Sequence, residues 1–421
     1  MIDNAAQNII IKQAQKAKKA SVILASMNEE IKNNILLSIA QNLSQNAQEI
    51  LFHNEIDIAA AKESGLSVSM LDRLSLNQRR IDDMRKGVEK LTLLKDPIGE
   101  IIEHSNPIEE MDIKKVRVPL GVIAMIYEAR PNVTVDAASL CLKSGNAVIL
   151  KGGSEAINSN RILAKTILSA AIKAGLPDGA IEFIDTLDRN AVFELLKLDN
   201  YIDLIIPRGG EDLVNFVRKN STIAVLSHGK GLCHLYIDKD ADIDMALKIA
   251  VNAKCQRPSV CNSIETLLVH SSIANTFLSK ICALYYDKGV IIKGCRATKS
   301  IINSVESADE TDWNTEYHDL IISIKVIDSC QEAIEHINKY GSKHSDAIIT
   351  KNKEIADKFI MEVDSAAVFA NASTRLHDGG VFGLGSEIGI STQKLHARGV
   401  MGIKELTTTK YIVIGNGNIR Q

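Results

Sequence analysis

The chain has 421 residues, of which 45% are hydrophobic and 24% are charged, and its formal net charge is -3. This length favours two or three domains, and the composition argues against a disordered or fibrous chain. The nearly balanced charge lacks the basic field that nucleic-acid binding needs. Because no apolar run is long enough to span a bilayer or to form a signal-peptide core, we expect a cytoplasmic protein without membrane or nucleic-acid partners.

The cysteines are scattered along the chain, and none forms a C-x-x-C pair. This spacing suits neither a disulfide framework nor a zinc site, so we expect reduced thiols and no metal centre. A free cysteine can also serve only as a small buried hydrophobe, which is the alternative for each of them. The seven are Cys141, Cys233, Cys255, Cys261, Cys282, Cys295 and Cys330.

Residues 1 to about 90 have a helical pattern. The clearest helix opens at Ser26-Met27-Asn28-Glu29, a capping-box pattern in which the serine and glutamate side chains bond the first amides of a helix. The apolar side chains that follow recur every four residues and predict a core-facing stripe, formed by Ile31, Ile35, Ile39 and Leu43.

Short, continuous apolar runs replace the helical pattern from about residue 116, as expected of strands buried on both faces. They alternate with helical segments, which predicts a doubly wound α/β domain. The predicted strands are 122–126, 147–150, 181–184, 202–206 and 223–226. A second α/β set begins near residue 237, with strands predicted at 264–269, 320–327, 346–349 and 366–369.

Two glycine-containing turns join predicted strands to helices, and both are placed to hold a phosphate. Lys151-Gly152-Gly153-Ser154 offers free helix-start amides and an ammonium, and Pro207-Arg208-Gly209-Gly210 repeats the arrangement. Turns after parallel strands open on the same sheet edge, where ligands of such folds lie. The alternative is that the glycines only form the turns. Neither G-x-G-x-x-G nor a P-loop motif is present, which argues against an ordinary dinucleotide fingerprint.

A possible nucleophile lies in the loop before the strand 264–269. Cys255 and Cys261 are both there, and Lys254 and Arg257 supply positive charge that favours a thiolate. The alternative is a buried cysteine at a strand entrance.

Three long segments resemble γ-glutamyl phosphate reductases, which belong to the aldehyde dehydrogenase superfamily. They are NAKCQRPSVCNSIETLLVH, VPLGVIAMIYEARPNVTVDAASLCLKSGNAVILKGGSEA and GLGSEIGISTQKLHARGVMGIKELTTTKYIV. The resemblance implies an aldehyde dehydrogenase-like α/β fold with a Rossmann-type cofactor domain, an α/β catalytic domain and a small β oligomerisation arm. We assign residues 1–105 and 121–236 to the cofactor domain, 237–385 to the catalytic domain, and 106–120 and 404–421 to the arm.

The resemblance also implies roles for individual residues. It places the nucleophile at Cys261, and an oxyanion donor at Asn132 beside backbone amides. NADPH binding is implied for Lys151, Gly152, Gly153, Ser154, Glu155 and Glu316, and the second glycine turn adds Pro207, Arg208, Gly209 and Gly210 to this set. Arg130, Arg257 and Arg398 are the candidates for binding the anionic substrate, although each could be an exposed or structural arginine.

The implied reaction is the NADPH-dependent reduction of L-glutamyl 5-phosphate to glutamate 5-semialdehyde and phosphate, in proline biosynthesis. Hydrolytic relatives carry a general-base glutamate where this chain has Leu226-Ser227-His228-Gly229-Lys230-Gly231-Leu232. Without that carboxylate, water stays unactivated, which suits reduction of a thioester. The alternatives are a CoA-acylating aldehyde dehydrogenase and a non-catalytic scaffold for glutamate kinase. We also expect a homo-oligomer, with glutamate kinase as a possible partner.

Overall fold

The computed structural model describes residues 4–108, 110–188, 190–227 and 229–420. The chain divides into two units, each with its own buried hydrophobic core. The first consists of Met1–Ser227, Gly383–Gly389 and Leu395–Gln421, and the second of His228–Phe382 and Ile390–Lys394. No helix in the described ranges is long and apolar enough to cross a membrane.

The first unit opens with helices α1 (Asn4–Leu24), α2 (Glu29–Gln45), α3 (Ala47–Glu63), α4 (Val68–Leu74) and α5 (Gln78–Thr92). The predicted capping box is wrong. Asn28 caps α2 by accepting the Ile31 amide at 2.9 Å, whereas the Ser26 hydroxyl donates to the Ile23 carbonyl. The predicted stripe is buried at Ile35, Ile39 and Leu43, but Ile31 is 41% exposed.

A parallel sheet forms the centre of the first unit. Its strands are β3 (Val122–Tyr127), β4 (Ala147–Gly152), β5 (Ile181–Phe183) and β6 (Leu204–Arg208), in the order β5-β4-β3-β6. The connecting helices are α6 (Asn132–Lys143), α7 (Ile157–Lys173), α8 (Asn190–Leu195) and α9 (Glu211–Asn220). The predicted strand at 223–226 is wrong, because only a single bridge forms there, between Val225 and Ile205.

A second sheet of the first unit is antiparallel, in the order β1-β2-β16. Its strands are β1 (Ile101–Ser105), β2 (Asp112–Pro119) and β16 (Thr407–Ile414). β16 pairs with β2 along its whole length, from Thr407 opposite Pro119 to Ile414 opposite Asp112. The two segments assigned to the oligomerisation arm therefore contribute neighbouring strands; residues 109 and 421 of those segments lie outside the described residues.

The second unit is built on a parallel sheet in the order β10-β9-β11-β8-β7-β12-β13. Its strands are β7 (Cys233–Ile237), β8 (Ile264–His270), β9 (Ile291–Gly294), β10 (Glu306–Ser307), β11 (Ile321–Ile327), β12 (Ser345–Ile349) and β13 (Ala367–Ala370). Its helices are α10 (Ile243–Cys255), α11 (Ser271–Asp287), α12 (Arg296–Ile301), α13 (Cys330–Tyr340) and α14 (Lys353–Glu362). Short strands β14 (Ile390–Ser391) and β15 (Gly399–Val400) complete the elements.

Candidate active site

Cys261 lies in the loop that joins α10 to β8, and its side chain is half-buried. The loop is tied to the end of the helix, since the Ser263 hydroxyl donates to the Ala253 carbonyl at 3.1 Å. Cys255, the competing thiol, is the last residue of α10, and burial raises its pKa. A raised pKa disfavours the nucleophilic thiolate, so the loop position favours Cys261 as the reactive cysteine.

Gly231 brings Cys261 and Glu316 to one point of the second unit. A Cβ on this glycine would lie 2.4 Å from the Cys261 carbonyl oxygen and 2.6 Å from Glu316 Oε1. Only a residue without a side chain fits so close an approach. The stretch from Gly229 to Leu232 supplies no carboxylate here, and His228 lies outside the described residues.

The carbonyl and side-chain groups next to Cys261 are hydrogen-bonded by neighbouring elements. The Cys233 thiol donates to the Cys261 carbonyl at 3.1 Å. The Thr374 hydroxyl donates to the Asn262 carbonyl at 2.7 Å, and Asn262 Nδ2 donates to the His377 carbonyl at 3.0 Å. These contacts fix the chain at Cys261 and directly after it, which suits a preorganised site.

Arg375 is a candidate site residue that the sequence reasoning missed. Its guanidinium donates to Gln256 Oε1 at 2.9 Å and to the side-chain oxygen of Asn262. Burial lowers its pKa, while the nearby Cys261 thiol raises it and Arg257 lowers it. Arg375 therefore interacts electrostatically with both Cys261 and Arg257. The signal in the sequence was a polar loop that ends in two glycines, residues 371–380, directly after the strand predicted at 366–369.

The predicted cofactor turns lie at one edge of the first unit's sheet. Tyr127 at the end of β3 pairs with Gly152 on one side and with Arg208 on the other. The carboxyl ends of β4, β3 and β6 are thus neighbours, as the sequence predicted.

The first turn combines an ammonium with a carboxylate. Lys151 is 6% exposed, its Nζ donates to the Gly152 carbonyl at 2.8 Å, and burial lowers its pKa. Glu155 accepts the Ala129 amide at 2.5 Å and folds back over Gly153, where a Cβ would lie 2.3 Å from its oxygen. Ser154 begins a short 3-10 helix that precedes α7. The Lys151 ammonium is suited to bind a phosphate, and the Glu155 carboxylate is suited to accept hydrogen bonds from ribose hydroxyls. The turn therefore has the groups that a dinucleotide needs.

In the second turn, an internal carboxylate takes the place that we predicted for a phosphate. Glu128 accepts the Gly210 amide at 2.8 Å, and a Cβ on Gly209 would lie 2.2 Å from the same oxygen. A bound phosphate at this helix start would have to displace Glu128, since two anions cannot share one amide. The cofactor role of Pro207, Arg208, Gly209 and Gly210 therefore stays a prediction that requires Glu128 to move.

Asn132 is the first residue of α6, and its Nδ2 donates to Asp136 at 2.8 Å. Burial raises the pKa of Asp136 to about 6; Asn132 and Arg208 oppose the rise and Glu387 adds to it. Asp136 therefore orients the amide of Asn132 while keeping a proton in mildly acidic solution.

We expect the effect of Asp136 on stability to depend on pH. Below about pH 3 Asp136 is protonated in both the folded and the unfolded chain. As the pH rises to about 6, Asp136 ionises mainly in the unfolded chain, which costs the folded state up to about 3 kcal/mol. The melting temperature of Asp136→Asn should therefore match that of the original chain at about pH 3, rise above it as the pH increases to about 6, and keep a constant advantage at higher pH. A gain that grows toward acid pH would contradict the assignment.

The three arginines predicted for the substrate fall in different units. Arg130 follows β3 at the sheet edge described above, and Arg398 is also in the first unit, whereas Arg257 is in the second. Their roles stay predictions, and the second unit brings Arg257 together with Arg375.

The chain was compared with known proteins. Residues 2–290 match the model of the aldehyde dehydrogenase family. The γ-glutamyl phosphate reductase of Halothermothrix orenii is 53% identical over 412 residues, which cover 98% of this chain and 99% of the relative. That of Moorella thermoacetica is 54% identical over 409 residues, with coverage of 97% and 98%. The chain belongs to the aldehyde dehydrogenase family, among its γ-glutamyl phosphate reductases.

A solved structure gives the same result. The crystal structure of the γ-glutamyl phosphate reductase of Thermotoga maritima matches with a TM-score of 0.94 at 47% identity, covering 98% of this chain and 100% of that chain. The chain is thus an oxidoreductase of a family that uses nicotinamide cofactors. The predicted family, enzyme class and α/β fold class are confirmed.

Proposed function

We propose that this chain reduces L-glutamyl 5-phosphate to glutamate 5-semialdehyde with NADPH, through a thioester on Cys261, as a step of proline biosynthesis. The observation that carries the proposal is the loop at Cys261, where a half-buried cysteine has Glu316 beside its backbone and Arg375 in its electrostatic neighbourhood. The relatives that are about half identical over nearly the whole chain carry the name of that reaction.

The Cys261 thiolate attacks the acyl carbon to form a tetrahedral intermediate, which collapses to the thioester as its carbon–oxygen bond to phosphate breaks and phosphate leaves. Backbone amides near Cys261 and the amide of Asn132 stabilise the oxyanion of the tetrahedral intermediate. Arg375 and Arg257 are the cations suited to the leaving phosphate, because a guanidinium binds an anion through paired hydrogen bonds. Arg130 and Arg398 are assigned to the other anionic groups of the substrate.

The nicotinamide, when bound, supplies the hydride that reduces the thioester. Lys151 and Glu155 are the residues for the adenosine ribose and its phosphate, and Glu316 for the nicotinamide ribose. After reduction, the thiohemiacetal on Cys261 collapses to free aldehyde and restores the thiol. Since Gly229 to Leu232 holds no carboxylate to act as the general base toward water, hydrolysis of the thioester stays slow.

Lys151→Ala should weaken NADPH binding more than NADH binding, because the ammonium is the group suited to the additional ribose phosphate. Fluorescence titration of the two reduced cofactors measures both affinities. Ser154→Ala is a matched control in the same turn, and we expect it to weaken the two cofactors alike. If Lys151→Ala weakened NADPH and NADH binding equally, the lysine would instead contact a part of the dinucleotide that both cofactors have.

The reverse reaction tests the proposed substrate. With glutamate 5-semialdehyde and NADP, the enzyme should form NADPH only when inorganic phosphate is added, since phosphate must accept the acyl group. NADPH formation that needs CoA would favour an acylating aldehyde dehydrogenase, and formation without either would indicate hydrolysis. A catalytically inactive scaffold for glutamate kinase would form no NADPH under any of these conditions. The presence of Cys261 within its complete sequence motif argues against that alternative.

A further inference from the structure

A buried ion pair connects the helix and the strand that flank the loop carrying Cys261. Lys254, in the last turn of α10, is fully buried, and its Nζ donates to Glu265 Oε2 at 2.7 Å. Glu265 is the second residue of β8 and is 2% exposed. The two residues therefore join the two ends of the loop, one immediately before it and one immediately after.

Such a pair needs an explanation other than stability. Desolvating two charges costs about as much as their attraction returns, so a buried ion pair adds little net free energy of folding. Burial raises the pKa of Glu265 to about 7, and Lys254 is the strongest influence in the opposite direction. The lysine thus opposes the protonation of Glu265 that burial favours.

The second oxygen of Glu265 reaches the segment that carries Glu316. Glu265 Oε1 accepts the His318 amide at 3.4 Å, and His318 adopts a left-handed backbone conformation with φ 57°. His318 Nε2 lies 3.4 Å from Glu316 Oε2. The other oxygen of Glu316 lies against Gly231, where the Cys261 carbonyl also lies. One carboxylate is therefore connected both to the base of the Cys261 loop and to the turn that presents Glu316.

We propose that the Lys254–Glu265 pair is a positioning clamp for the reaction, which holds the Cys261 loop and the Glu316 turn in register with each other. The clamp touches neither substrate nor cofactor in this assignment; it acts through Cys261 and Glu316. Its effect on turnover rests on the proposed function, whereas its effect on the thiol does not.

The test separates positioning from stability. Lys254→Met leaves Glu265 buried without its cation, so this variant should lose both melting temperature and activity. Adding Glu265→Gln removes the uncompensated charge while keeping an oxygen for the His318 amide, so the double variant should regain most of the melting temperature. Without the clamp its kcat should stay about tenfold or more below that of the original chain, with KM changed much less, because displaced reacting groups slow turnover.

The reactivity of Cys261 is measured independently of turnover. Alkylation by iodoacetamide, followed by mass spectrometry of the Cys261 peptide, should be several-fold slower or faster in the double variant than in the original chain. If the chain proved inactive in the reductase assay, this rate would still test the clamp. The proposal would be overturned if the double variant regained the melting temperature of the original chain and its kcat and alkylation rate were both within about twofold of the original values.

Lys32→Met is the matched control. Lys32 is also a fully buried lysine with a carboxylate at 2.7 Å, Asp96, but it belongs to α2 of the first unit. It should lower the melting temperature while leaving kcat and the alkylation rate unchanged. If Lys32→Met and Lys254→Met lowered the melting temperature equally and also lowered kcat equally, the effect of Lys254 would be general destabilisation, which contradicts the clamp.

Discussion

Replacing Cys261 with serine should lower turnover at least about a thousandfold, because the neutral hydroxyl is a far weaker nucleophile than a thiolate. The fold should be unaffected, since the side chain is half-buried in a loop and its backbone carbonyl keeps the Cys233 thiol as donor. NADPH oxidation measures turnover, and titration of NADPH with thermal melting shows that the cofactor site and the fold are intact.

Cys255→Ser is the matched control, six positions earlier in the same segment. It should retain most of the activity, because Cys255 ends a helix and burial raises its thiol pKa. If Cys255→Ser were inactive and Cys261→Ser active, the nucleophile would be Cys255 and the motif assignment would be wrong.

Deleting residues 407–421 should abolish a homo-oligomer that the full chain forms at micromolar concentration. β16 is the last strand of its sheet, and among the described residues it pairs only with β2. The two faces of this edge strand expose apolar side chains, with Tyr411 63%, Val413 56% and Ile414 59% exposed. Open apolar edge strands pair with other chains, so a second copy of this chain is the expected cover. Light scattering measures the mass.

A point variant keeps the test independent of the loss of a strand. Val413→Lys leaves β16 in place and puts a charge on its exposed edge, which opposes pairing. It should shift the assembly toward monomer while the melting profile of the isolated subunit is kept. An unchanged mass in both variants, or a full-length protein that is monomeric at micromolar concentration, would contradict the assignment of these strands to an oligomerisation arm.

The sequence predicted the parallel sheets because their strands are continuous apolar runs buried on both faces, as in Val122–Tyr127 and Ile264–His270. It failed where the pattern was short. Residues 223–226 look equally apolar, but one bridge to Ile205 is all that forms. It failed again at the start of α2, where Ile31 is exposed and Lys32 is buried beside Asp96. Periodicity cannot show that a distant carboxylate makes a buried lysine acceptable.

Local motifs predicted Cys261, but not the groups that long-range folding brings to it. Arg375 donates to Asn262 across 113 positions of the chain, and Glu128 reaches Gly210 across 82. Neither partner is marked by spacing. The glycine pair at 209–210 looked ready for a phosphate, and only the structure shows a carboxylate of the same protein bonded there.

The measurement that tests the central claim most directly is NADPH oxidation with L-glutamyl 5-phosphate generated in the cuvette by glutamate kinase and ATP. We expect the original chain to consume NADPH only when glutamate, ATP and kinase are all present, and to release glutamate 5-semialdehyde in equal amount. Cys261→Ser should show no consumption under the same conditions. NADPH consumption by the serine variant, or none by the original chain with active kinase, would contradict the proposed thioester reduction at Cys261.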